Sequence, residues 1–339
     1  MKKLKLNMIS ESEFTVKGHG VHTAYVELTN ALKRRNDVDV LVNEDREGAD
    51  VTHIQTVGLY AAKRLVYGPG KKVVSVHVVP DSLIGSLAMA KYWLPLAKIY
   101  LKWFYSRADM LFAVSGMVAE ELEDSMYIDK KRIKLLYNTV DMSQYTCTPE
   151  DKKAARKVLR IADDAFVVVG NGQIQPRKRL DTFVEAAKRL PDVHFIWVGG
   201  IPFKQLGAEY SKMKKIVASV PGNLTVTDVI PLEEVRKYVQ AADVFFLPAE
   251  QENHPMCVLE AAGAGLPIVL RDIPQYADTF AQDSQLISTD QEAVDTITAL
   301  RTDPKRYKVA VQGAQAIAQR FDSKQGAERA MAFYQELIK

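Results

Sequence analysis

Cysteine is nearly absent from this 339-residue chain: Cys147 and Cys257 are the only two, and they lie far apart. Such a pair matches no metal-ligand spacing and builds no disulfide framework, so a reducing compartment is the simplest expectation. Long apolar runs are also missing, and nothing reaches the roughly 18 residues needed to cross a bilayer. The first residues, Met1 to Ser10, carry the charges of a signal peptide but too short an apolar core. Net charge is only +3, from 45 basic and 42 acidic residues, which argues against a nucleic-acid footprint spread over the whole surface. Low-complexity segments and internal repeats are lacking too, which excludes a solenoid. What remains is a globular chain, long for one core and therefore expected to form two domains.

The densest signal runs from Val244 to Leu270. The apolar run Val244–Pro248 leads into an acidic turn, a helix is expected from about Pro255 to Ala264, and Gly265 and Pro267 close it before a second apolar run. Glu252 falls on the loop before the helix, and Glu260 falls inside the helix about two turns later. Both can face one cleft at the carboxyl edge of a parallel sheet, where open α/β sheets bind ligands. An unremarkable alternative is an acid favoured by the helix dipole plus a solvated Glu. Cys257 lies in the same helix, and Glu250 has the wrong spacing to replace Glu252.

In its frame of two apolar runs and a closing Gly-x-Pro, the Glu-x7-Glu unit resembles the signature of retaining glycosyltransferases of the two-domain GT-B fold, family 4. The resemblance implies two Rossmann-like domains facing across a cleft. It gives Glu252 hydroxyls of a donor sugar to hold and Glu260 the nucleotide ribose.

The N-terminal half reads as βαβ. Leu4–Ile9 is a strand, Lys17-Gly18-His19-Gly20-Val21 a glycine-rich turn, Thr23–Arg35 a helix and Val38–Val42 the next strand. Two of the three glycines of a dinucleotide fingerprint are present, so a nicotinamide reading is weak. A tight turn that needs positive φ would account for the glycines. By resemblance, Gly18 and Gly20 cover the donor diphosphate. Asp37-Val38-Asp39 imitates a metal-binding pair but enters a strand at the wrong end. The expected strands Ala49–Gln55 and Lys72–Val78 each carry a histidine near the end. His53 reads as packed; His77, followed by Val79-Pro80-Asp81, belongs on the cleft rim, and relatives place a histidine there close to the transferring sugar.

Residues Ser82–Ala108 hold Lys91, Lys98, Lys102 and Arg107 and no acidic residue, interleaved with Trp93, Tyr100 and Trp103. Trp93, Leu96, Tyr100 and Trp103 recur at helical spacing, with Pro95 expected to start or kink the helix. The aromatics either enter a core or form a basic, Trp-rich face on an anionic bilayer. Asn138-Thr139-Val140-Asp141 resembles the segment that joins the two GT-B domains.

In the second half, Ala165–Gly172 is a buried-type strand. Its glycine end, the basic loop Gln173-Ile174-Gln175-Pro176-Arg177-Lys178-Arg179 and the following helix are expected to form an anion site, with a basic surface loop as the alternative. Family members carry Arg and Lys here to neutralise the leaving diphosphate. Lys178 matches the Lys, while Gln173 stands where the Arg is expected, leaving Arg177 or Arg179 to supply the second charge. Gly172 and Gln173 join the expected donor contacts. The segment Leu224–Ile230 is expected to be a strand whose end, Val229 and Ile230, meets the base.

Together with Asp50–Ile54, Val76–Asp81 and Pro255–Glu260, these stretches are similar to the bacterial diglycosyl diacylglycerol synthases. That branch implies transfer, with retention and without a metal, of glucose or galactose from a UDP-sugar to monoglucosyl diacylglycerol. It further implies a cytoplasmic protein peripheral on the inner face of the plasma membrane, with no cofactor and no nucleic acid. The expected division is 1–145 plus a returning helix at about 323–339 for the acceptor and membrane, and 146–322 for the donor. A GT-B enzyme with a soluble saccharide or protein acceptor, and a non-catalytic sugar-nucleotide or glycan-binding protein, are the alternatives.

Overall fold

The computed structural model of the protein describes residues 3–14, 20–45, 48–80, 90–201 and 209–339. Gly18, and the part of the basic stretch from Ser82 to Met89, lie outside the described residues. The chain forms two six-stranded sheets, each parallel throughout.

The first sheet alternates strand and helix: β1 (Leu4–Ile9), α1 (Gly20–Lys33), β2 (Val38–Val42), β3 (Val51–Ile54), α2 (Leu59–Tyr67), β4 (Lys71–Val76), α3 (Ala90–Ser106), β5 (Met110–Ala113), α4 (Gly116–Glu120) and β6 (Ile133–Leu135). Its order is β2-β1-β3-β4-β5-β6. Two short helices, α5 (Met142–Tyr145) and α6 (Pro149–Leu159), follow. Thr148 caps α6 with a capping box to Asp151, and Pro149 takes the first turn, where its missing N–H costs nothing.

The second sheet takes β7 (Val167–Asn171), α7 (Leu180–Arg189), β8 (His194–Val198), α8 (Tyr210–Ala218), β9 (Leu224–Val226), α9 (Leu232–Ala241), β10 (Val244–Leu247), α10 (Met256–Gly263), β11 (Ile268–Arg271) and β12 (Gln285–Ile287). The order is β12-β11-β10-β7-β8-β9. Its central strands are buried on both faces, as apolar runs such as Val244-Phe245-Phe246-Leu247 require in a parallel sheet covered by helices. The strand order reverses between β1 and β3 in one sheet and between β7 and β10 in the other, creating a crevice at each carboxyl edge.

Helices α11 (Asp290–Thr302), α12 (Pro304–Arg320) and α13 (Ser323–Ile338) complete the chain. The last returns to the first sheet: Ala327, Ala330, Met331 and Tyr334 share one apolar cluster with Leu6, Met8 and Phe112. The two crossings between sheets touch. Val140 N–H donates to Phe321 O at 3.2 Å and Ser323 N–H to Val140 O at 2.9 Å, while a Cβ on Gly326 would meet the Thr139 side chain.

Three elements differ from the sequence reading. Helix α1 begins at Gly20 rather than Thr23, and Gly20 is not among the residues with left-handed backbone. Strand β9 stops at Val226 because Asp228 adopts φ 63°, turning the chain. Pro95 lies inside α3 rather than at its start, and the apolar stripe it leaves exposed is Tyr92, Leu96 and Ile99. Trp93 and Trp103 are half-buried, and Leu101, Phe104 and Tyr105 enter the core.

His53 is packed. Its ring bonds Ser75 Oγ through Nε2 at 2.9 Å and the Tyr334 hydroxyl through Nδ1 at 2.6 Å, and burial holds its pKa down at about 3. Tyr334→Phe leaves His53 Nδ1 only the Gln55 amide, 3.4 Å away, inside the fold. Urea denaturation should show a loss of about 1–2 kcal/mol.

Candidate active site

The carboxyl ends of β7 and β10 lie side by side at the reversal of the second sheet, and both carry chemistry. Gly172 follows β7 with φ 155°, and a Cβ there would press on Lys178 at 3.2 Å from Cε. Glycine therefore lets the Lys178 stem lie against the backbone. Arg179, with φ 52°, ends the short turn Pro176–Lys178 and starts α7.

Across from this turn, the loop after β10 presents Glu252. Lys178 Nζ stands 2.5 Å from Glu252 Oε1, and Arg177 Nη1 stands 3.1 Å from the same oxygen while donating to Gln251 O at 2.8 Å. Burial alone would raise the Glu252 pKa, yet the two cations hold it below the usual carboxylate range. Arg179 turns away to Asp181 and Glu250, so Arg177 is the arginine that joins Lys178.

Glu260 is buried about one turn into α10, and Asn171 Nδ2 donates to it at 3.5 Å. No cation faces it. Burial first, and the charge of Glu27 second, raise its pKa to about 7. Glu27 comes from α1 of the first sheet and accepts the Asp141 N–H at 2.8 Å; burial raises its pKa as well. Lys178, Glu252, Gly172, Asn171 and Glu260 thus form one continuous cluster. Cys257, beside it on α10, has its thiol pushed up to about 12 by burial, so it stays protonated.

The first sheet adds His77, just past β4. Its Nε2 lies 3.0 Å from Gln55 Oε1, and its backbone O accepts from Asn253 Nδ2 at 2.9 Å. Asn253 stands next to Glu252, so the acidic loop of one sheet is bonded directly to the histidine edge of the other. Asn138 Nδ2 donates to His254 O at 2.9 Å, and Asp278 Oδ2 accepts from Gly116 N–H at 2.8 Å and the Tyr137 hydroxyl at 3.0 Å. His254 is buried among Tyr137, Phe280 and Phe321, and its pKa is lowered by burial to about 3.

The other expected residues are dispersed. Gln173 Oε1 takes a bond from Gln175 Nε2 at 3.3 Å, beside the cluster. Val229 is exposed and Ile230 half-buried on the turn after β9. Gly20 opens α1 with free space around its Cα. Lys98 and Lys102 are exposed on α3, with Lys102 Nζ 4.7 Å from the Tyr127 ring centre, whereas the Lys91 side chain lies outside what is described. Trp103 stacks on Tyr100 at 5.8 Å and lies under Arg107. Among the described residues, no group of three His, Cys, Asp or Glu side chains could hold a metal ion. Asp37, of the DxD imitation, sits at the amino end of β2, paired with Arg35.

Asn253, Asn171, Gln55 and Glu27 were missed from sequence. Asn253 and Asn171 adjoin residues already singled out, so proximity in sequence was an available signal. Glu27 had none, because its meeting with Glu260 joins α1 to α10.

The family model described as Glycosyl transferases group 1 matches residues 151–316, and the one described as Glycosyltransferase Family 4 matches residues 43–144. The alpha-galactosylglucosyldiacylglycerol synthase of Streptococcus pneumoniae is 32% identical over 99% of this chain and 90% of its own length. The chain belongs to the GT-B glycosyltransferases of family 4. This glycosyltransferase is also 25% identical to the processive diacylglycerol alpha-glucosyltransferase of Acholeplasma laidlawii, over 81% of each chain. Among solved structures it shares its fold with sucrose-phosphate synthase of Thermosynechococcus elongatus, at TM-score 0.79, 15% identity and 99% coverage of both chains. Anabaena HepE in complex with UDP-glucose gives 0.77, 16% identity, and 98% and 100% coverage.

The raised Glu260 pKa has a signed consequence. A carboxyl that titrates higher in the folded state stabilises the fold below its unfolded pKa and loses that contribution as pH rises through the folded value. Between about pH 4.5 and 7, Glu260→Gln should therefore gain stability relative to the wild type, by an amount on the order of a few kcal/mol. Paired urea melts across that range test it, and a pH-independent difference would contradict it.

Proposed function

We propose that this glycosyltransferase moves a hexose, glucose or galactose, from a UDP-sugar to a membrane glycolipid, with retention, and that monoglucosyl diacylglycerol is the acceptor. The observation that carries the chemistry is the pair of cations on one buried carboxylate at the strand-order reversal. The acceptor class rests on the names of the streptococcal and Acholeplasma relatives, both of which act on diacylglycerol lipids.

In this reading, residues 146–322 hold the donor, while 1–145 with 323–339 hold the acceptor and the membrane. The donor diphosphate competes with Glu252 for Lys178 and Arg177. Its negative charge takes both cations, which frees the Glu252 carboxylate to accept from sugar hydroxyls. Glu260 and Asn171 meet the ribose, Gly18, Gly20, Gly172 and Gln173 border the diphosphate, and Val229 and Ile230 border the base. As the bond between the anomeric carbon and the phosphate oxygen breaks, Lys178 and Arg177 stabilise the charge growing on departing UDP. The acceptor hydroxyl attacks from the same face and passes its proton to the leaving phosphate oxygen, so the anomeric configuration is kept. His77 borders the acceptor.

Helix α3 supplies the membrane contact. Tyr92, Leu96 and Ile99 project into solvent beside Lys98 and Lys102, an apolar stripe flanked by cations that suits an anionic bilayer surface. No helix among the described residues is long and apolar enough to cross a membrane. Attachment at the inner face of the plasma membrane is part of this proposal.

Labelled UDP-glucose and UDP-galactose incubated with a panel of glycolipids test the reading. Product from monoglucosyl diacylglycerol is expected, and its absence would remove that acceptor. Lys178→Ala should lower turnover on the order of 100- to 1,000-fold, the usual loss for one charge-stabilising group. With Leu96→Glu, co-sedimentation with anionic liposomes should fall while transfer to a detergent-dispersed acceptor persists. Undiminished co-sedimentation would take α3 out of the membrane contact.

A further inference from the structure

A cavity of about 740 Å³ opens between the two sheets next to the Gln251–Asn253 loop. Val79, Met117 and Glu121 line it from the first sheet, and Arg179, Glu209 and Glu250 from the second. Arg177 and Asn253 also border it, so it adjoins the reacting centre, yet Gly172, Lys178 and Glu260 do not. The cavity is therefore a compartment beside the donor cradle rather than part of it. Its size lies within the range of small-molecule sites.

Its chemistry is specific. Arg179 is bonded to Asp181 and Glu250, and Lys212 lies 2.9 Å from Glu209 in an ion pair. These cations already have carboxylate partners, and Glu121 adds a further acid to the wall. A phosphorylated ligand would have to break those pairs and face four carboxylates, those of Glu121, Asp181, Glu209 and Glu250. A neutral polyol would not: its hydroxyls donate to the carboxylates, while Val79 and Met117 offer an apolar surface to the C–H face of a pyranose.

The cavity is also tied to the lipid-facing helix. The Tyr105 hydroxyl of α3 donates to Val78 O at 2.5 Å, one residue before Val79 and one after His77. Resting on the function proposed above, we infer that this cavity receives the uncharged hexopyranosyl head group of the acceptor and discriminates against phosphorylated acceptors. Several relatives at 28–32% identity over about half to two-thirds of this chain bear the name D-inositol 3-phosphate glycosyltransferase, so acceptor charge is a property on which such enzymes differ by name.

Two measurements on the UDP-loaded full chain test this: calorimetric binding of a neutral alkyl glucoside, and steady-state transfer to monoglucosyl diacylglycerol in mixed micelles. Met117→Trp, at a partly exposed position, fills the cavity without touching its ion pairs. It should weaken glucoside binding and raise the acceptor KM by at least about tenfold, with UDP affinity unchanged. Glu121→Gln should raise the acceptor KM with kcat nearly unchanged, and glucose 6-phosphate should not compete with the glucoside. Overturning results are glucoside binding in Met117→Trp within about twofold of wild type, UDP affinity lost in parallel, effective competition by glucose 6-phosphate, or no glucoside binding to the wild type. Glucoside binding without any transfer would sink the proposed acceptor while leaving the cavity assignment standing.

Discussion

A carboxylate removed from water must find its countercharge within the protein, and Glu252 finds two. Lys178 and Arg177 converge on one of its oxygens from a turn that exists because Gly172 gives the lysine stem room and Arg179 accepts a left-handed backbone. This arrangement holds both cations in place against the carboxylate. A cation pair held ready costs little reorganisation when an anion arrives, which is the condition under which electrostatic stabilisation is most effective. In the proposed reading, Glu252 holds the place of the diphosphate and, once displaced, accepts from sugar hydroxyls.

The neighbouring acid is treated in the opposite way. Glu260 lies deeper, has among the described residues an amide donor in Asn171, and shares its surroundings with Glu27 from the other sheet, so near neutrality it is divided between its protonated and ionised forms. Two glutamates eight positions apart on one loop and helix therefore carry different charge states, set by which neighbours the fold supplies. The same contrast appears among the histidines. His53 and His254 are buried and neutral, while His77 stands at a sheet edge where Asn253 reaches its backbone.

Much of this was legible in the sequence because it depends on local order. Apolar runs marked β7 and β10, Gly-x-Pro marked the end of α10, and the spacing of Glu252 and Glu260 followed from helical geometry. Lys178 and Arg177 sit in a loop whose place after a buried strand was readable. What escaped depends on contacts between distant segments. The exposed stripe of α3 is Tyr92, Leu96 and Ile99 instead of the tryptophans, because Tyr100 bonds Val57 O and Trp103 stacks on it, fixing the helix's rotation. The Glu27–Glu260 proximity and the Asn253–His77 bond join segments that periodicity cannot relate. Strand β9 was read too long because a left-handed aspartate leaves little trace in an apolar pattern.

The paired crossings at Val140 and Phe321–Ser323 restrict how the halves can rearrange. Both passages are bonded to each other and packed under Gly326, so sliding one half along the other would break both backbone hydrogen bonds at once. Turning about that junction would not. Away from this joint the halves meet again through Asn253–His77, Asn138–His254 and Gly116–Asp278, so a turn about the joint would have to release those polar bonds.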